Sequence, residues 1–152
     1  MASAVLQQIR EVLEVVEDTS RSESDSIEAL EAALDRLAAG VHTVWFELDS
    51  ADYPDPPSED PTSLHQRVAQ RFPSFGYYNT PLDTSHKISE TELAVGDAIN
   101  DIAEICGDLR ENIWRFQNTS EADALFHFQL GYRSHWGRHL RELQLYVHDR
   151  HW

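Results

Sequence analysis

Apolar positions recur at helical spacing along most of the chain. Val5, Leu6, Ile9, Val12, Leu13 and Val16 share one face of a 3.6-residue period. A Ser-rich polar break spans residues 18–24, and Asp25 followed by Glu28 has the form of a capping box. From there Ile27, Leu30, Leu34, Leu37, Val41, Val44 and Leu48 alternate steps of three and four, which predicts a second helix reaching about Leu48. Gly40 interrupts it at a modest propensity cost. Helix cannot persist through Pro54, Pro56 and Pro57, so 49–61 reads as a long Pro-rich loop. Pro61 after Asp60 suits the first turn of a short helix carrying Leu64, Val68 and Phe72. Residues 72–85 form an aromatic, turn-rich connector with no clear period.

Ser89 and Glu92 form a second capping box, with Ile88 and Leu93 placed to close a hydrophobic staple. The helix they predict carries Ile99, Ile102, Ala103, Cys106, Leu109, Ile113 and Phe116. Thr119 or Ser120 caps a last helix running towards Val147. Its expected core face is Leu125, Phe128, Tyr132, Trp136, His139, Leu143 and Tyr146. Gly131 and Gly137 lie inside it, where a bulky neighbour is expected to approach. No strand alternation or internal repeat stands out. The pattern predicts one all-α domain over 1–152, an up-down bundle of four long helices with one short helix in a long crossover, and a fraying tail at 148–152.

Composition narrows the function classes. The 152 residues hold 27 Asp+Glu against 12 Lys+Arg, a formal charge of −15. Such a chain repels phosphates and anionic lipid, so neither nucleic acid nor a membrane is an expected partner. The imbalance sits in residues 1–63, with 15 acidic and 3 basic side chains. Complementary faces within the fold account for it, or a cationic partner does. The N-terminus lacks the basic start and unbroken apolar run of a secretory signal. One cysteine, Cys106, allows no internal disulfide, and its phase marks it as a small core residue. A cytoplasmic, bacterial protein is the expectation.

His135 and His139 stand four apart, so on a helix they project from one face and could chelate a divalent metal. Trp136 occupies the place where a zinc protease would have Glu, and no histidine follows a Glu at the spacing of di-iron bundles. A third ligand must come from another helix, with His42, His65 and Asp101 as candidates. The competing reading packs Trp136 and His139 in the core and pairs His135 and Arg138 with acidic groups. Asp101, Glu104 and Asp108 repeat at helical spacing and are expected to face Arg133, Arg138 or Arg141, with Arg138 pairing to Asp101 or Asp108. Trp45 and Trp136 are expected in the core, and Trp152 at an exposed end. No nucleophile elbow, phosphate loop or dinucleotide fingerprint is present, so the sequence predicts no cofactor and gives no sign of an enzyme.

The segment Asn100–Arg110 (NDIAEICGDLR), followed by His135–His139 (HWGRH), resembles an uncharacterised bacterial family, the domain-of-unknown-function family 5063. Asp101, Ile102, Ala103, Ile105, Asp108 and Leu109 match its first segment, and Trp136, Gly137, Arg138 and His139 its second. Cys106 stands where the family usually has Tyr, and Gly107 replaces a polar residue. The resemblance covers roughly residues 72–150. It implies an all-α fold and supplies no activity. Two functions follow. The first is a non-enzymatic acidic helical protein that binds another protein, in the manner of an immunity or inhibitor protein. The alternative is a metal- or small-molecule-binding bundle using His135, His139 and the acidic residues around Asp101. The second fails if both histidines are buried against Trp and Leu with no converging carboxylate or third histidine.

Overall fold

The computed structural model describes residues 2–45, 47–84 and 86–150. In chain order its elements are α1 (Ala2–Glu17), α2 (Glu23–Gly40), α3 (Pro61–Arg71), β1 (Tyr77–Pro81), β2 (Leu93–Asp97), α4 (Ala98–Asn118), α5 (Glu121–Gly131), a π-helical turn (Tyr132–Trp136) and α6 (Gly137–Arg150). Helix α4 is the axis of the molecule. It packs against α1, α3, α5 and α6, while α1 lies on α2 and α2 on α6. Val5, Ile9, Leu30, Leu34, Leu37, Leu109, Phe128 and Trp136 fill the core among these helices.

The all-α expectation is corrected by an antiparallel ribbon. β1 and β2 pair in the register Tyr77–Asp97, Asn79–Val95 and Pro81–Leu93. The predicted helix start at Ser89 and Glu92 does not form. Ser89 has φ 66°, in the left-handed region, and Ile88 and Leu93 are exposed rather than stapled together. The cap lies at Asp97, whose side chain accepts from the backbone N–H groups of Ile99 and Asn100. The ribbon brings one functional side chain inward. Gly96 pairs opposite Tyr78, and a Cβ on Gly96 would run into the Tyr78 ring. The missing side chain lets that ring cross the ribbon towards α4.

Helix α2 ends at Gly40, short of Leu48. Val41 and Val44 stay buried as their spacing predicts, but Trp45 is 89% exposed and Leu48 is exposed too. The Gln129 side chain donates to the carbonyls of Val41 and Val44, satisfying acceptors that a continuing helix would have used. Ser22, not Asp25, caps the start of α2. Asp60 caps α3, with Pro61 in its first turn, as expected. Trp152, expected at an exposed end, lies outside the described residues.

Ser120 caps the C-terminal helical run, but its core face departs from the prediction midway. The buried positions are Leu125, Phe128, Trp136, Leu140, Leu143 and Val147. The Gly137 N–H bonds the Tyr132 carbonyl, five residues back, closing the π turn. That wider turn shifts the phase of everything after it. Leu140 and Val147 take the core, while His139 and Tyr146 move to its edge. A Cβ on Gly137 would run into the Tyr132 carbonyl and ring, so glycine is what the π turn requires there.

Candidate metal centre

The displaced phase turns the histidines towards the acidic face of α4. His135 comes from the π turn and His139 from the first turn of α6. Opposite them, Asp101, Glu104 and Asp108 line α4. His135 Nδ1 lies 2.8 Å from Asp108 Oδ2 and its Nε2 lies 3.3 Å from Glu104 Oε2. His139 Nδ1 lies 2.7 Å from Asp101 Oδ1. The two imidazoles meet edge to face, 5.2 Å between centroids. Glu104, His135 and His139 each bring one ligand atom to within 4.8 Å of the others.

Both Nδ1 atoms are thus engaged by carboxylates, and the His135 Nε2 faces Glu104. A carboxylate behind the imidazole fixes its tautomer and raises its basicity, the arrangement found around metal-ligating histidines. Two histidines and one carboxylate suit zinc or a non-haem iron type of ion, with further coordination positions left open. The pairing also has an electrostatic consequence without metal. The hydrogen bond to Asp101 holds His139 above its ordinary 6.5, with Asp101, Glu104 and Glu142 adding in the same sense and partial burial opposing. Asp101 is itself buried and accepts from the Tyr78 hydroxyl as well. Burial, and then that bond, push the Tyr78 phenol well above its ordinary range.

Of the residues singled out from sequence, His135, His139, Asp101 and Asp108 meet here. The expected pairing of Arg138 with Asp101 or Asp108 is corrected: the histidines take both carboxylates. Arg138 bonds Glu142 at 2.8 Å and the Pro81 carbonyl at 2.7 Å. Together with the Thr80–Glu142 bond, it fastens the ribbon to α6. Trp136 is fully buried and Gly137 serves the π turn. His42 packs its ring against Tyr132 instead of joining the cluster. His65 lines a groove between the Pro-rich loop, α3 and α4 and does not join the cluster. Asp101, one of the three third-ligand candidates, stands behind His139 on Nδ1, and Glu104 is the carboxylate that converges with both histidines. Glu104 was visible only as one member of an acidic row, and Tyr78 carried no sequence signal. Cys106 is buried, as its phase implied, and burial pushes its thiol up to about 12, which leaves no nucleophile.

Beside the cluster lies the groove, about 500 Å³, between the Pro-rich loop, α3 and α4. Glu104 and Asp108 border both it and the histidines. Arg110 pairs with Glu17 and Glu59, tying the loop wall to α1 and α4. Partial burial, followed by the neighbouring Asp108, holds Glu111 above the usual carboxylate range.

No curated protein matches the chain. Its fold resembles the crystal structure of protein BF1032 from Bacteroides fragilis, with a TM-score of 0.73 at 16% identity, covering 99% of this chain and 89% of that one. At that identity the likeness concerns the fold alone. The family model described as "Domain of unknown function (DUF5063)" matches residues 1–149, extending the resemblance through the first half of the chain. The chain, with its ribbon, α4 and π turn, therefore belongs to the DUF5063 family.

Proposed function

We propose that this protein binds a divalent transition-metal ion of the zinc type through His135, His139 and Glu104. One observation carries the proposal. Three ligand-capable atoms from separate helical segments converge within 4.8 Å, and each histidine also has a carboxylate on its Nδ1. Asp108 and Asp101 are the outer partners that orient the rings. The condition that would have ended the metal reading is not met, because His135 is exposed, His139 is only half-buried and Glu104 faces them. Three protein ligands leave a solvent-facing position, which suits an ion able to take an exogenous ligand.

Competition of zinc against a chromophoric chelator is the test. One equivalent should bind per chain, and His139→Ala and Glu104→Gln should each weaken binding by about tenfold or more. Asp101→Asn should weaken it as well, by about 10-fold, as expected for an outer partner. Zinc binding unchanged in both ligand variants would sink the proposal.

A second reading, a protein partner, is favoured by the outer face of the ribbon. Tyr77, Leu93 and Val95 are exposed there, near Leu82 and Ile88, an apolar grouping of the kind that marks interaction surfaces. An immunity- or inhibitor-like role would use this face together with the acidic surface of the first half. Val95→Asp should abolish co-purification of such a partner while leaving zinc binding intact; a partner retained by that variant counts against this face. Among the described residues no helix is long and apolar enough to cross a membrane.

A further inference from the structure

The groove beside the histidines has a floor that the fold does not explain. Gly107 lies in the interior of α4, where glycine lowers helix stability. A Cβ built there meets nothing nearer than Leu64 Cδ2 at 4.0 Å. No backbone or ring demands the glycine, so what its missing side chain provides is open space. Above that floor stands an apolar wall of Pro56, Pro57, Leu64 and Trp114, and along α4 stand the carboxylates of Asp108 and Glu111. The groove's arginine, Arg110, is already turned to Glu17 and Glu59. Glu111 is exposed on the groove, and Arg115, one turn further along α4, acts on it from a distance while pairing directly with Asp123 at 3.1 Å. At about 500 Å³ the space falls within the range of small-molecule sites.

We propose that this groove binds a small organic cation, its hydrocarbon or aromatic body lying among Trp114, Leu64 and the prolines and its ammonium or guanidinium group beside Glu111 and Asp108. The indole of Trp114 offers such a group both contact area and cation–π attraction. A chain of charge −15 draws cations towards it and repels the corresponding anions. The site adjoins the proposed metal cluster, sharing Glu104 and Asp108 along its border, so it is tested on metal-free protein.

The experiment is calorimetric titration of the full chain, treated with chelator, with 2-phenylethylammonium, agmatine and benzyltrimethylammonium, and with 3-phenylpropanoate as the anionic counterpart. At least one cation should bind, one per chain, with the anion at least about tenfold weaker. Gly107→Leu fills the floor while removing a glycine from a helix, so it should abolish binding without lowering Tm. Glu111→Gln should weaken binding about tenfold and tests the same claim should the leucine variant fold poorly. The proposal is overturned if no cation binds at about 10 mM, if the anion binds as tightly, or if binding survives both substitutions.

Discussion

Asp101 is buried between two donors, the Tyr78 hydroxyl and the His139 imidazole. Asp101→Asn removes the charge that favours the imidazolium, so His139 should titrate at lower pH in an imidazole NMR titration. The unfolding free energy should fall by about 1–3 kcal/mol, because a buried pair is broken with its partners left behind. The wild-type pH profile follows from the same bond. His139 is raised in the folded protein above its ordinary 6.5. Its contribution to stability is therefore complete below about pH 6.5 and is lost as pH rises through the raised value. Urea midpoints of metal-free protein, wild type against His139→Gln, should converge as pH increases; a gap that widens instead would contradict the assigned pairing. Under the proposed ligation the sign reverses, because a ligating imidazole must be neutral, so zinc affinity should rise with pH over the same window. At this scale the sequence shows the two histidines and the acidic row as two helix faces. Which member of one row meets which member of the other depends on the rotational phase between helices, and Arg138 was the wrong partner for that reason.

The phase is set at the level of the element. Buried positions at Phe128, Trp136, Leu140 and Leu143 are reached through a π turn whose hydrogen bond runs from Gly137 back to Tyr132. A regular α-helix would have put His139 in the core, as its spacing suggests, away from Asp101 and Glu104. Such single π turns are frequent at functional sites. Two glycine substitutions separate what the helices need from what they merely carry. Gly137→Ala meets the Tyr132 carbonyl and ring and should cost about 1–3 kcal/mol. Gly107→Ala has open space and should stabilise by roughly 0.5–1 kcal/mol through helix propensity. Denaturant unfolding of both variants checks the contrast. The ribbon escaped the sequence reading for a different reason. Strand recognition depends on alternation of polar and apolar positions, and the outward residues Tyr77, Leu93 and Val95 are themselves apolar. With both faces mixed, and a capping-box pattern at Ser89 and Glu92 competing, the helical interpretation was the stronger local signal. It failed because Asp97 supplies the cap.

Across the whole molecule, the acidic first half is answered in part by the second. Arg110 reaches Glu17 and Glu59, and Arg67 lies 3.6 Å from Glu59 and 3.9 Å from Glu17. These pairs hold the Pro-rich loop against α4 and so shape the groove. Arg110→Met should lower stability by no more than about 1 kcal/mol, with the difference shrinking in high salt. The helical majority, the capped start of α3 and the buried stripe of α1 were legible in the sequence, because each follows from local period or from proline and cap chemistry. The ribbon, the π turn and the choice of Glu104 were not, because each depends on contacts between distant segments. The central claim concerns those distant segments, and zinc-edge X-ray absorption of the chain loaded with one equivalent tests it most directly. Two imidazole nitrogens and carboxylate or water oxygen at about 2.0–2.2 Å, with one imidazole lost in His135→Ala, is the predicted result. A six-oxygen aqueous shell, a sulfur ligand, or a spectrum unchanged by His135→Ala would contradict it.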